Sequence, residues 1–420
     1  MVHRSLTGAE GCGVPSPPAL TVDEARQRLL EAVTPIDGEE LVPLIRALNR
    51  VLVRDLTASF NVPPFDNSSM DGYALRGEDL PQQGARLLKV VGTALAGTSY
   101  GGTVAAGECI RIMTGALLPH GCDTVIMQEQ AQRRDDAIVI TPGHHRGQHV
   151  RCAGEDLAAG ARAIAAGKRL TPADLGLAAS LGVTHLTVTR RPRVSFFSCG
   201  DELLDQAAAP AAGKLYDSNR VALHGLLLET GAEPRDLGII PDRREALQEA
   251  LVKAAIDADA VISTGGVSVG DADLVRDGLR DVGQMHFWQV GIKPGRPFTF
   301  GRVGGAWFFG VPGNPVSAMV TYYQFVQPAL RRLMGQRARS PVRFQVPCST
   351  PLKKAPGRME FQRGVLERDK EGAMVVRAVV GQASHILRSM SEADCFIVLP
   401  AACGDLSAGT LVEVEPFAEL

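Results

Sequence analysis

No stretch of the 420-residue chain approaches the roughly eighteen consecutive apolar residues of a membrane-spanning helix, which argues against an integral membrane protein. Its eight cysteines form no C-x-x-C pair and no regular spacing. That disfavours a structural zinc site or a disulfide framework and points to free thiols in a reducing cytoplasm. Charge of one sign is also lacking: 44 Lys and Arg against 46 Asp and Glu leave a formal −2, so a general nucleic-acid binder is not expected. Residues 1–20 are rich in Gly, Pro and Ala without the apolar core of a signal peptide, and read as a loose tail. There is no internal repeat and no low-complexity segment. Hydrophobic residues at 45% and charged residues at 21% are ordinary for a globular protein, and the length allows three or four compact units.

The most informative stretch runs from Asp257 to Gly301. Ala260-Val261-Ile262-Ser263 is a short apolar run flanked by acids, the pattern of a buried parallel strand. It enters Gly265-Gly266-Val267-Ser268-Val269-Gly270, followed by helix-like sequence to Leu279. A glycine-rich turn between strand and helix lets backbone N–H groups converge on an anion, aided by the helix dipole. The spacing is neither G-x-G-x-x-G nor G-x-x-x-x-G-K-[ST], so neither a plain dinucleotide fold nor a Walker loop is supported. Asp271 and Asp273 follow at once, and carboxylates beside a phosphate would repel it unless a divalent cation lies between. Lys293 and Arg296, in a Pro-Gly turn, add positive charge. The combination reads as phosphate chemistry with magnesium.

A second elbow follows within fifty residues. Ala306-Trp307-Phe308-Phe309 reads as a buried strand ending in Gly310-Val311-Pro312-Gly313-Asn314-Pro315-Val316-Ser317-Ala318, with Asn314 as N-cap and Pro315 at the first helical position. One glycine-rich turn alone is most simply a tight connection; two at carboxyl ends of strands fit a ligand crevice at a switch point. From Arg191 to about Leu333 strands and helices alternate, which predicts a doubly wound, mostly parallel sheet. Glu202, Asp242 and Asp273 recur at its strand ends, and three such acids in one domain suggest a shared cation or catalytic cluster.

Elsewhere, Thr21 to Glu24 is a capping box opening a helix, and Thr171-Pro172 opens another that stops before Gly182. The polar run Pro63 to Ala74 reads as a surface loop with two carboxylates, Asp66 and Asp71, and an exposed Met70 and Tyr73. Residues 76–145 and those beyond Arg339 read as short strands. His144, His145 and His149 sit in a Gly-rich segment without a partner cysteine and read as a solvated loop.

Taken together, PPFDNSSMDGYA, RIMTGALLP, RCAGED, SCGDEL, YDSN, STGGVSVGDAD, KPGRP, GVPGNPVSA, GRMEFQRG and QASHIL resemble the molybdopterin molybdotransferases, the MoeA family that includes the E domain of gephyrin. The resemblance covers roughly residues 21–418. It implies a multidomain α/β plus β protein: a helical and extended domain I (21–60 and 146–190), an inserted β domain II (61–145), a molybdopterin-binding doubly wound α/β domain III (191–335) and a C-terminal β barrel as domain IV (340–420). It also implies a cytoplasmic homodimer, with each cleft formed by domains III and IV of one subunit and domain II of the other.

The implied reaction inserts molybdate into adenylylated molybdopterin with magnesium and releases AMP. Gly265, Gly266, Ser268 and Gly270 would cradle the phosphate. Glu202, Asp242 and Asp273 would hold Mg2+ or position the attacking oxygen. Lys293, Arg296, Ser317, Arg363 and Ser384 would bind molybdate, while Asp66, Asp71, Thr114, Arg151 and Asp156 would reach the cleft from domains I and II. Pro312 and Pro315 would stiffen the elbow. The adenylyltransferase of the same pathway and the recipient apo-enzymes are implied partners, with no nucleic acid and no membrane. Gln289 stands where the family usually carries Lys or Arg, and Cys199 where it usually carries Thr. Two rival readings are a molybdopterin adenylyltransferase, whose single domain resembles residues 191–333, and a gephyrin-like scaffold.

Overall fold

A computed structural model describes residues 19–266, 278–279, 281–337 and 340–417. The chain divides into two compact units, one built from the segment up to Gly38 together with Thr189 onward, the other from Glu39–Val188.

The first unit begins with the helix Val22–Ala32, whose capping box is made as its sequence predicts: Thr21 Oγ1 accepts from the Glu24 N–H at 3.2 Å, and Glu24 accepts from the Thr21 N–H at 2.9 Å. Val22, Ala25 and Leu29 recur at helical spacing and are buried in one core with Phe196, Ile262, Phe309 and Tyr322. The helix is thus part of the α/β body.

The sheet of that body runs Glu233–Ile240, Arg193–Cys199, Ala260–Thr264, Ala306–Val311, Pro297–Val303, Gly283–Gln289. The first four strands are parallel and the last two antiparallel. Every residue of Ala260–Thr264 and of Ala306–Val311 is buried, because helices cover both faces. Ser218–Thr230 and Pro315–Thr321 pack on one face; Arg244–Ala255 lays Leu247, Leu251 and Ala254 on the other, against Val261 and Phe308. The doubly wound sheet is therefore as expected, with an antiparallel edge.

Six further strands of this unit close a barrel. Ile292–Lys293, Met359–Arg368, Cys395–Leu399, Leu411–Pro416 and Phe344–Pro347 pair in that order, and Met374–Ala378 lies on the free side of Met359–Arg368. The ring shuts where Cys348 bridges to Val376, with the Ser349 N–H donating to Val376 O at 2.8 Å. Val346, Val376, Ile397 and Val414 fill it.

The second unit holds a six-stranded sheet in the order Thr124–Met127, Gly72–Leu75, Glu108–Ile112, Arg86–Ala94, Ala137–Ile140, Gln132–Arg134. Apart from it, Thr171 caps the helix Pro172–Ser180, and Ala178 packs with Ala47, Leu52, Leu170 and Val188. One local expectation is corrected. Asn67–Ser68 and Gly72–Leu75 are strands rather than loop, and Tyr73 is only 5% exposed, beneath the Arg111 guanidinium at 5.1 Å. Gly72–Leu75 is a central strand covered on both faces, so its short apolar run shows no alternation to reveal it.

Candidate active site at the carboxyl edge of the parallel strands

The two elbows meet. Gly265 has φ +80°, and a Cβ there would lie 2.1 Å from the Cys199 carbonyl oxygen, so only glycine fits between the two strand ends. A Cβ on Gly313 would lie 3.4 Å from the Gly265 Cα, which brings the second elbow against the first. Asn219, in the first turn of the helix that Asp217 caps, fastens them: its Nδ2 donates to Thr264 Oγ1 at 2.8 Å and to Gly313 O at 2.6 Å. Thr264 Oγ1 in turn donates to Pro312 O at 3.1 Å. Pro312 is buried and Pro315 occupies the first turn of the helix Pro315–Thr321, as the sequence predicts; Asn314 is the N-cap residue but makes no side-chain capping bond.

The acids sit at neighbouring strand ends. Cys199 Sγ donates to Asp242 Oδ1 at 3.0 Å, and burial, then the Asp242 carboxylate, pushes that thiol well up. The Asp242 N–H donates to Asp201 Oδ1 at 3.1 Å, and a Cβ on Gly200 would lie 2.6 Å from Glu202 Oε2. Glu202 and Asp242 are both exposed to solvent. Ser268, Gly270, Asp271 and Asp273 lie outside the described residues. Among the described residues no group of three His, Cys, Asp or Glu side chains is placed to hold a metal ion, the histidines of the 144–149 segment included.

The barrel supplies the other wall. The Val316 N–H, in the first turn of the Pro315–Thr321 helix, donates to Ser384 O at 3.1 Å, so Ser384 borders the elbow; Ser317 is buried beside it. The Lys293–Arg296 turn packs on the same helix, since a Cβ on Gly295 would meet Thr321 Cγ2 at 2.7 Å. Lys293 Nζ lies 3.1 Å from Glu360 Oε2, and Arg296 is exposed. Arg363 stands apart from the expected pattern. It is 1% exposed and donates to Ser389 Oγ at 3.1 Å and to the Phe361, Gly381 and Ala383 carbonyls at 3.4 Å each. Burial pushes the guanidinium down, to about 10. In this geometry Arg363 pins the loop that presents Ser384, and Gln382 ties back to the Arg363 backbone through two bonds of 2.9 Å. Gln289, half-buried, pairs with Pro297 at the sheet edge.

Five more expected residues gather within the second unit. Asp71 accepts from the Thr114 N–H at 2.8 Å and from Thr114 Oγ1 at 2.7 Å, and these bonds, the backbone one first, hold its carboxyl below the ordinary carboxylate range. Asp66 Oδ1 accepts from the Ala153 N–H at 2.7 Å. Arg151 pairs with Asn67, and the Asp156 N–H donates to Val62 O at 3.0 Å.

Sequence reasoning takes Asn219 only as part of a helix start and passes over Thr264, Gln382 and Glu360. The YDSN run marks a cap, but bonds spanning 45 and 94 positions leave no local signal.

These features define a class: a doubly wound α/β protein with two glycine turns meeting at its strand carboxyl ends, carrying a β barrel and an inserted β unit. Family models match along the chain: the MoeA N-terminal region (domain I and II) at residues 20–182, the family described as "Probable molybdopterin binding domain" at 195–332 and the MoeA C-terminal region (domain IV) at 345–417. The chain is 42% identical over 403 residues to the molybdopterin molybdenumtransferase of Haemophilus influenzae, covering 96% of this chain and 99% of that protein. It is 32% identical to Dictyostelium discoideum gephyrin over 93% of this chain and 61% of gephyrin. Among solved structures it resembles the molybdopterin biosynthesis MoeA protein of Pyrococcus horikoshii OT3, with a TM-score of 0.83 at 29% identity, covering 95% of this chain and all of that one. The chain belongs to the MoeA family of molybdopterin molybdenumtransferases.

Proposed function

We propose that the protein transfers molybdenum from molybdate into adenylylated molybdopterin, releasing AMP. The observation that carries the reading is the Asn219 clamp, which holds two glycine elbows together at the strand ends, next to Ser384 of the barrel. The backbone at Gly265 and Gly266 takes the substrate's phosphate, and Ser317, Lys293, Arg296 and Ser384 bind the molybdate oxyanion. Arg363 acts on that oxyanion through the loop it pins. Asp242, steadied by the Cys199 thiol, orients a water oxygen for attack on the molybdopterin-side phosphorus; as that P–O bond forms the pyrophosphate P–O bond breaks and AMP leaves with its electron pair, while the dithiolene sulfurs take up the molybdenum and molybdate oxygen departs as water.

Glu202 and Asp242 would hold Mg2+ together with the substrate's phosphate oxygens, since magnesium keeps few protein ligands and takes the rest from water and phosphate. When bound it offsets the negative charge on the pyrophosphate. Asp273 completes that set in our reading.

Asp66, Asp71, Thr114, Arg151 and Asp156 serve the cleft of a second copy in a homodimer working in the cytoplasm, alongside the adenylyltransferase that supplies the substrate. The second unit supports this by exposing Leu41 and Ile45 (70% and 84%), apolar surface suited to a partner chain. The four expected domains stay part of this reading, with the first helix counted with the α/β body. The decisive assay combines purified protein, adenylylated molybdopterin, Mg2+ and molybdate, and follows AMP release and reconstitution of an apo-molybdoenzyme. Molybdate-dependent AMP release that disappears in Asp242→Ala is expected. Substrate binding without AMP or cofactor would replace the reading with carriage or scaffolding, and AMP made from ATP would replace it with adenylyl transfer.

A further inference from the structure

A cavity of about 560 Å³ lies in the first unit and shares no residue with the elbows. It opens between the first helix, the helix Gln327–Leu333, the residues Gln336, Arg337 and 340–343, and the last barrel strand. Its volume falls in the range of small-molecule sites. One wall is aromatic: Tyr323 and Phe417 stack with centroids 5.3 Å apart, and Phe396 meets Phe417 at 4.6 Å.

The rest of the lining is unbalanced in charge, with five arginines against two carboxylates. Glu415 is already engaged, accepting from Arg343 Nε at 2.9 Å and from Gln324 at 2.7 Å. Asp23 reaches Arg26 only at 3.6 Å and its side chain is 72% exposed. Burial pushes the Arg26 guanidinium below its ordinary value, against the pull of Glu415, and the like charge of Arg343 adds to the push. Among the described residues two buried polar atoms that belong to lining residues have no hydrogen-bond partner: Arg343 Nη2, a donor, and Gln336 Oε1, an acceptor. Buried groups of this kind are normally satisfied, and two in one cavity mark a missing partner that both accepts and donates.

We propose that this cavity is a second ligand site, for a small organic anion with a flat apolar body. The body lies against Tyr323 and Phe417, the anionic group meets Arg343 and its arginine neighbours, and a hydroxyl or amide of the ligand satisfies Gln336. A carboxylate and a phosphate share the chemistry required.

Calorimetric titration of the full-length protein with phenyl phosphate, benzoate and benzyl alcohol tests it. One saturable site per chain for an aromatic anion, and none for benzyl alcohol, is expected. The tighter of the two anions identifies the head group. Binding should weaken at least tenfold in Arg343→Gln and persist in Asp242→Ala. Gln336→Leu leaves the Arg343 ion pairs intact, and in it the weakening should be smaller but measurable, which keeps the test open if Arg343→Gln does not fold. Absence of saturable binding in the millimolar range overturns the proposal. So does binding that neither variant alters, or binding that excess AMP and molybdate displace, which would put the probe at the elbows.

Discussion

Asn219 spends both amide hydrogens on groups far along the chain, one a hydroxyl and one a carbonyl, and so sets the spacing of the two elbows. Asn219→Ala should cost about 1–3 kcal/mol in thermal unfolding and roughly tenfold in AMP release, because Gly313 O and Thr264 Oγ1 are left to water. Asn219→Asp should fare no better, since a carboxylate cannot donate to that carbonyl. The Asp71–Thr114 pair gives a pH prediction. The folded carboxyl lies below its ordinary value, so its stabilising bonds are present above the unfolded value of about 3.9 and are lost as pH falls through the folded one. In Thr114→Val, a carboxyl-resolved NMR titration should show Asp71 returning toward the ordinary value. An unmoved Asp71 would mean the backbone bond suffices alone. Sequence legibility at this scale follows distance: Asp217 and Thr21 declare themselves as caps three residues from their partners, whereas the clamp formed by Asn219 cannot be seen locally.

Among elements, the strand-to-helix elbow is the unit that matters. Gly265 is held at positive φ with the Cys199 carbonyl where a side chain would start. Gly265→Ala should therefore prise the strand ends apart, costing about 3 kcal/mol or more and abolishing phosphate binding, readable by chemical denaturation and substrate titration. Arg363 does comparable work for the Gly381–Ser384 loop. Arg363→Lys, with no planar fork to span three carbonyls and a hydroxyl, should lose roughly 2–3 kcal/mol and weaken molybdate retention; full retention with the melt unchanged would contradict a buttressing role. The second elbow and the Gly265–Gly266 start of the first were legible because glycine, proline and buried strands follow local rules. The role of Arg363 was not, because an arginine facing inward in a strand looks, in sequence, like one facing out. The Pro63–Ala74 run misled for the opposite reason: polar letters at its start hid a strand whose two faces are both covered.

At the scale of the molecule, the proposed dimer makes a numerical prediction. If a cleft needs Asp242 of one subunit and Asp71 of the other, Asp242→Ala and Asp71→Ala chains are each inactive alone. Their mixed dimer keeps one intact cleft, so random mixing should restore about a quarter of wild-type AMP release. No recovery from mixed dimers that are shown to form would place both carboxylates in the same subunit's cleft. The doubly wound sheet was readable from the alternation of strands and helices along the chain; the core that the first helix joins was not, because its amphipathic face says that it packs and not against what.

The chain leaves the α/β body after Gly38 and is back in it by Thr189, and the Arg190 N–H donates to Gly38 O at 3.0 Å. The two cut ends of the body are thus within one peptide's reach. The 150 or so residues between them leave and re-enter the body at one point of the chain, so a short linker should close the body without them. The same junction would accept a different insert, and a lineage could exchange the whole unit while leaving the strand ends of the body untouched.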